Sequence, residues 1–194
     1  DYEGSGNGCC RVYRRPAYAS LWKNGHTAIG VDNYSYGSAD NLHFDDHDFS
    51  ADVIKMDIRD KEGMKALFEQ EKFDIVYNIA GIAPLPDCQS DPVEAVSVNT
   101  LGLVNVLENA RRTGVKHVIQ ASTNAMYENE TEFPTVESKF NPPTLIYPNT
   151  KYCGERFCQS FADTYGMNIT CLRFANVYGR TSTACANSRR SSAT

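Results

Sequence analysis

Apolar and polar positions fall in blocks along this chain, and the period changes from block to block. Residues 27–32 form a short apolar run closed by an acid, the pattern of a buried strand. Residues 33–52 are polar and read as a loop. Val53, Ile54 and Met56 make a second short strand that ends at Asp57. From Lys61 to Gln70 the apolar residues fall at 64, 67 and 68, a helical spacing. Residues 74–79 predict a third strand, closed by Ala80-Gly81. Asp91-Pro92 opens a long helix, since proline suits the first helical turn; it runs to about Arg112 and stops at Gly114. Residues 115–120 predict a fourth strand, and a loop with Pro134, Pro142 and Pro143 follows. A helix then carries Tyr147 and ends near Gly166, before a fifth strand over 168–173. Strand and helix alternate throughout. That alternation predicts parallel strands with crossover helices, an α/β fold built on a doubly wound parallel sheet.

The totals narrow the classes. At 194 residues the chain suits one domain with a real core. Hydrophobic content of 41% and charge of 22% are ordinary for a soluble globular protein. A net charge of −5 without a basic stripe argues against a nucleic-acid partner. No apolar run approaches membrane-spanning length and no signal-peptide pattern occurs, so no membrane partner is expected. The seven cysteines are odd in number and lack metal spacing, which reads as free thiols in a reducing cytosol and a cytoplasmic location. His43, Asp45, Asp46, His47 and Asp48 look like a metal cluster, but i,i+4 histidines suit zinc only on a helix. This segment has no helix signal and reads as a solvated acidic loop, with no metal. His117, at the start of a strand, reads as structural. The N-E-T triplet at 129–131 formally matches a glycosylation acceptor, with nothing to suggest secretion.

Candidate chemistry starts at Tyr147 and Lys151, four residues apart and so on one helical face. A cation beside a phenol favours the phenolate and should pull the tyrosine below its reference pKa of about 10. Such a tyrosine can take a proton from an alcohol. The same spacing also arises as a solvated helix face. Ligands of doubly wound sheets sit beyond the carboxyl ends of the strands. Asp32 lies at one such end, where an acid can accept from both ribose hydroxyls of a dinucleotide and repel a 2′-phosphate; it reads equally as a loop-starting aspartate. Asp57 ends the next strand, within reach of an adenine edge. Gly81 ends the third, where a missing side chain lets backbone approach a pyrophosphate or simply makes a turn.

Six stretches together resemble the extended short-chain dehydrogenase/reductase family, the nucleotide-sugar epimerases and dehydratases. They are G-V-D-N at 30–33, N-I-A-G-I-A at 78–83, D-P through V-N-T-L-G at 91–102, A-S-T-N-A-M-Y at 121–127, Y-P-N-T-K-Y-C-G-E at 147–155 and L-R-F-A-N-V-Y-G at 172–179. The resemblance covers residues 21–179, in order and at the family's spacing, and implies a Rossmann-like, NAD-binding domain. It implies that Tyr147 transfers the proton, with Lys151 as its partner on the nicotinamide ribose and Thr123 as the catalytic hydroxyl. Asp32, Asn33, Asp57, Ile58, Ala80, Gly81, Ile82, Asn99 and Phe174 would line the dinucleotide. Thr123 and Asn176 would contact the substrate. The two residues after Thr123 are Asn124 and Ala125, where the family's dehydratases carry Asp-Glu. That favours an epimerase or a simple dehydrogenase or reductase, and the resemblance as a whole implies an epimerase acting on a nucleotide-diphosphate sugar through transient oxidation. The alternatives are a related NAD(P)-dependent reductase of a non-nucleotide carbonyl, or a non-catalytic fragment. The family also implies a homodimer through the helices at 91–112 and 146–165, with Leu101, Val104, Leu107, Phe157 and Phe161 serving core or interface.

Both ends depart from the family. Its G-x-x-G-x-x-G phosphate loop should place glycines at 8, 11 and 14, where the chain has Gly8, Arg11 and Arg14. Gly4, Gly6 and Gly8 spell G-x-G-x-G, but no apolar strand precedes them. Read one base later, the degenerate codons of the first fifteen residues permit M-K-V-A-V-T-G-A-A-G-F-I-G, the loop in register; residues 1–20 are thus expected to be an out-of-frame segment. Residues 180–194 are mostly Ser, Thr, Ala and Arg and read as a disordered tail in place of the substrate-binding lobe. An impaired fragment is the expectation for the chain as it stands.

Overall fold

The computed structural model describes residues 20–21, 23–37, 42–44, 47–132, 134–137 and 142–175. The expected phosphate-loop positions, the tail and Asn176 lie outside the described residues. Internal contacts divide the chain into two units, Asp1–Asp57 with Val177–Thr194, and Ile58–Asn176.

In the first unit, β1 (Gly30–Asp32) pairs in parallel with β4 (Val53–Lys55), Val31 opposite Ile54. The Asp32 carbonyl accepts from Met56 N–H at 3.1 Å, so the pairing carries on past the strand end. The stretch read as a uniform polar loop holds more structure than that. β2 (His43–Phe44) and β3 (His47–Asp48) form a two-residue antiparallel ladder, and Ser50–Asp52 makes a 3-10 turn. The backbone at both histidines is therefore extended, not helical. Leu42 and Phe49 are buried here, with Tyr34 and Val53 packed against them. Two apolar residues in a polar stretch are enough to anchor it.

The second unit is built on the parallel sheet β5–β6–β7: Ile75–Asn78, His117–Thr123 and Ile169–Phe174. Side chains alternate across such strands. Cys171 and Arg173 are accordingly sheltered, whereas Thr170, Leu172 and Phe174 are exposed. β6 is the central strand, and Val118 through Thr123 are buried apart from the half-buried Ile119.

Helix limits follow local chemistry. α1 (Lys61–Glu71) starts at Asp60, whose carboxylate accepts from Gly63 N–H at 3.0 Å, and it buries Met64, Leu67 and Phe68. A short helix absent from the sequence reading, α2 (Leu85–Ser90), follows Pro84. The single helix expected over 91–112 has three parts: α3 (Pro92–Val96), a π-helical segment (Ser97–Gly102) and α4 (Leu103–Thr113). Asp91 caps its start and Gly114, at φ +75°, ends it. π-segments are rare and concentrate at functional sites. This one places Asn99 and Gly102, both buried, against other elements. α5 (Ile146–Tyr165) is the long helix carrying Tyr147 and Lys151; it ends at Gly166, also left-handed at φ +67°. Its neighbours are β6, β7, α2, α3, α4 and the π-segment. Gly154 lets α5 lie close to α4, since a Cβ there would stand 3.0 Å from Leu103 Cδ2.

Candidate active site

Tyr147 occupies the first turn of α5 and is half-buried; Lys151 lies one turn on and is 5% exposed. An ammonium this deep needs partners. Nζ donates to the Ala121 carbonyl on β6 at 3.2 Å. It also fills the space left by Gly81, where a Cβ would stand 2.7 Å from Nζ and 3.0 Å from Asn99 Oδ1. The glycine beyond β5 thus makes room for the lysine. Pro148 fits the first turn because that turn has no intrahelical acceptor for an amide hydrogen.

Asn99 organises the same corner. Its Oδ1 accepts from Ile82 N–H at 2.6 Å, and its Nδ2 donates to the Ile82 carbonyl at 2.8 Å and to Thr150 Oγ1 at 2.9 Å. All the hydrogen-bonding directions of a side-chain amide are then used but one lone pair. Asn99 therefore acts by holding the Gly81–Ile82 backbone and the Tyr147 helix together. Cys88, fully buried, donates to the same Ile82 carbonyl at 3.5 Å. Burial pushes its thiol up to about 11, reinforced by the Asp87 carboxylate and opposed by the Lys151 ammonium.

Thr123 is the last residue of β6, 5% exposed, opposite Phe174 on β7. Its Oγ1 accepts from Ala125 N–H at 3.1 Å, capping the 3-10 turn Asn124–Tyr127. The bond from Ala125 uses one lone pair and leaves the hydroxyl hydrogen able to donate. Of the remaining candidates in this unit, Ala80 is half-buried beside Gly81. Ile58 is held by Asn105 Nδ2 on its carbonyl at 2.7 Å, and its side chain occupies the space that a Cβ at Gly102 would need, 2.5 Å away.

The sequence reading missed an ion pair beneath this site. Arg173 on β7 forks onto Glu155 on α5, Nε to Oε1 at 2.9 Å and Nη2 to Oε2 at 2.7 Å, with side chains 17% and 14% exposed. Ser122 Oγ donates to Glu155 Oε1 at 2.5 Å, and Arg173 Nη1 donates to Tyr127 Oη at 2.8 Å. Glu155 holds the Arg173 guanidinium above the ordinary arginine range. The network grips both residues that bracket the Thr123 turn. Its only sequence signal was Glu155, one turn past Lys151 on the same helical face.

In the first unit, Asp32 is 3% exposed. Oδ1 accepts from Tyr34 N–H at 2.7 Å, while Oδ2 is buried with no hydrogen-bond partner among the described residues. Asn33 Nδ2 donates to Asp57 Oδ2 at 3.1 Å, joining the ends of β1 and β4. A buried carboxylate oxygen with nothing to accept is costly and marks a place where a ligand donor belongs. The hydroxyls of a ribose would satisfy it, so the residues present fit a dinucleotide. Among the described residues no group of three His, Cys, Asp or Glu side chains could hold a metal ion, and no helix is long and apolar enough to cross a membrane.

Comparison with known proteins gives the family and the fold. The sequence profile of the NAD dependent epimerase/dehydratase family matches residues 17–193. The UDP-glucose 4-epimerase of Mycolicibacterium smegmatis is 29% identical over 160 residues, covering 82% of this chain and 51% of that protein. UDP-glucuronate 4-epimerase 3 of Arabidopsis thaliana is 32% identical over 129 residues, covering 66% and 30%. The structure of UDP-glucose 4-epimerase from Thermotoga maritima with UDP-glucose superposes with a TM-score of 0.83 at 32% identity, covering 89% of this chain and 55% of that one. The Thermus thermophilus UDP-glucose 4-epimerase in complex with NAD gives a TM-score of 0.79 at 28% identity, covering 88% and 54%. The chain thus spans about half the length of the three UDP-glucose 4-epimerases and 30% of the UDP-glucuronate 4-epimerase. The fold is Rossmann-like α/β, and the chain belongs to the NAD dependent epimerase/dehydratase family.

Proposed function

We propose that this chain carries the dinucleotide-binding and proton-transferring half of an NAD-dependent epimerase acting on a nucleotide-diphosphate sugar. The observation that carries the reading is the buried Lys151 ammonium, seated against Gly81 and the Ala121 carbonyl one helical turn from Tyr147. Tyr147, as phenolate, takes the proton of a sugar hydroxyl at Oη, and Lys151 supplies the positive charge that offsets the phenolate. Thr123 donates to the sugar oxygen as negative charge develops on it. NAD, when bound, supplies reversible hydride acceptance at the sugar carbon. Asp32 Oδ2 would hold its adenosine ribose and disfavour a 2′-phosphate, with Asn33 and Asp57 beside it. Ala80, Gly81 and Ile82 would offer backbone to the pyrophosphate, and Lys151 and Phe174 would meet the nicotinamide end. Ile58 and Asn99 would support that surface from behind.

The substrate class is drawn from relatives named as UDP-glucose and UDP-glucuronate 4-epimerases. Asn124 and Ala125 provide no acid for eliminating water, which favours epimerisation over dehydration. A homodimer is part of the same proposal. Val93, Val96, Leu101 and Phe157 are exposed on the helices that would meet, whereas Leu107 is fully buried and belongs to the core. A cytoplasmic location suits the free thiols of Cys88, Cys153, Cys158 and Cys171.

Tyr147→Phe tests the reading. Interconversion of a UDP-sugar panel should fall by about 10²–10⁴-fold, the range for losing a general acid–base group. Calorimetric NAD+ affinity should stay near that of the parent. Undiminished interconversion in this variant would refute the assignment.

A further inference from the structure

Nothing in the Tyr147–Lys151 pair itself fixes where the helix starts. The N-cap residue of α5, Leu145, has no side-chain acceptor of its own. A helix start leaves its first amides without intrahelical partners. Here two side chains from elsewhere take three successive amides. Glu128 Oε1 accepts from Thr144 N–H at 2.6 Å and Leu145 N–H at 3.2 Å, and from Thr144 Oγ1 at 3.1 Å. Gln89 Oε1, on α2, accepts from Ile146 N–H at 3.1 Å. The next residue is Tyr147.

Glu128 is also tied to Thr123. Thr123 Oγ1 caps the turn Asn124–Tyr127 through Ala125 N–H, and Glu128 N–H closes that turn on the Ala125 carbonyl at 3.3 Å. One carboxylate therefore joins the turn that begins at Thr123 to the amides that begin the Tyr147 helix. It does so between residues sixteen positions apart in the chain. A carboxylate is suited to this task, because charge-assisted acceptance is strong and a negative charge is favourable at a helix N-terminus. Asn129 Nδ2 makes a second link, to the Pro142 carbonyl at 3.3 Å, but it touches none of the three amides.

We propose that Glu128 is a positioning residue that sets the separation and orientation of Tyr147 relative to Thr123. The proposal rests on the roles assigned above to those two residues. Misplacing a reacting group by about 1 Å costs on the order of 10²-fold in rate. Glu128→Ala should therefore lower kcat by about 10–100-fold, with KM and NAD+ affinity little changed. Glu128→Gln keeps an acceptor oxygen at the same reach and should recover most of the loss. Glu128→Asp is a methylene short and should not.

A second readout does not depend on turnover. Amide hydrogen exchange at 144–146 should accelerate in Glu128→Ala. The ring resonance of Tyr147, assigned through Tyr147→Phe in protein carrying labelled tyrosine, should shift in Glu128→Ala and not in Glu128→Gln. Unchanged exchange and an unshifted Tyr147 resonance in Glu128→Ala overturn the proposal, as does wild-type kcat in that variant. Absence of nucleotide-sugar turnover in the parent chain would bear on the epimerase reading and not on Glu128, and the exchange and resonance data still decide whether Glu128 places Tyr147.

Discussion

Glu155 and Arg173 face each other as a two-pronged ion pair, 2.9 and 2.7 Å, between the helix that carries Tyr147 and the strand that ends at Phe174. They stand one turn past Lys151 and one residue before Phe174. The pair also takes up Ser122 and Tyr127, so it clamps the strand end that presents Thr123. Breaking a sheltered pair leaves the other charge uncompensated, which typically costs more than the pair itself contributes.

Glu155→Gln should accordingly destabilise the chain by about 3 kcal/mol in urea unfolding, since the Arg173 charge remains without its counterion. The double replacement Glu155→Gln with Arg173→Met should cost less than Glu155→Gln alone. A double variant less stable than either single one would show that the two residues act independently.

Gly81→Ala separates stability from function. Its Cβ would fall 2.7 Å from Lys151 Nζ, the mobile end of a long side chain, but also 3.0 Å from the held Asn99 Oδ1, and the backbone at φ +159° is one that side-chain-bearing residues rarely adopt. Relieving the first contact moves the ammonium away from the Ala121 carbonyl. We expect thermal stability to fall by about 1–3 kcal/mol and nucleotide-sugar turnover by about 100-fold. Thermal melts and steady-state kinetics on the same preparation check both.

Asp32 predicts the opposite combination. Its buried Oδ2 has no donor among the described residues. Asp32→Asn keeps an oxygen for Tyr34 N–H and removes the unpaired charge, so the free protein should gain about 1 kcal/mol or hold level. NAD+ affinity should drop about tenfold, and discrimination against NADP+ should shrink with it, because the repulsion of a 2′-phosphate is gone. Calorimetry with both dinucleotides reads the affinities. An Asn variant with unaltered preference would remove Asp32 from the ribose site.

Glu108 gives an acid-range prediction. Hydrogen bonds from Arg111 and then Arg112 hold its carboxyl down at about 2, against an ordinary 4.5. A carboxylate whose folded pKa is depressed contributes stability above its unfolded value and loses it as pH falls through the folded one. The advantage of the parent over Glu108→Gln should therefore be full above pH 4.5 and fade toward about 2. The side chain is 31% exposed, so the effect is small and should shrink with added salt. Urea midpoints measured across that range at low and high salt test it.

Much of the scaffold was legible because it rests on local signals. Apolar runs marked all three strands of the larger sheet, Asp91-Pro92 marked a helix start, and Gly114 and Gly166 marked the stops, each adopting the left-handed turn that glycine tolerates. The strand ends shifted by one to three residues, and β6 ran on to Thr123, because the ladder with β7 continues to Phe174. The π-segment was invisible: nothing in S-V-N-T-L-G at 97–102 specifies π-helical bonding, and the packing of Asn99 on Ile82 and of Gly102 on Ile58 shows only in the fold. Leu42 and Phe49 were lost in a polar stretch because two buried residues make no period.

By itself the chain of residues determined the alternation of strand and helix, the shared face of Tyr147 and Lys151, and the acid at the end of β1. Those depend on neighbours within a turn or on a strand's own two-residue repeat. Only the tertiary structure decided that Lys151 lies in the gap left by Gly81, that Asn99 faces inward onto Ile82, and that Glu155 meets Arg173. It alone decided that Glu128 holds the start of the Tyr147 helix. These contacts join residues from 16 to 70 positions apart, and sheet register and helix packing, not local preference, bring such atoms within hydrogen-bonding distance.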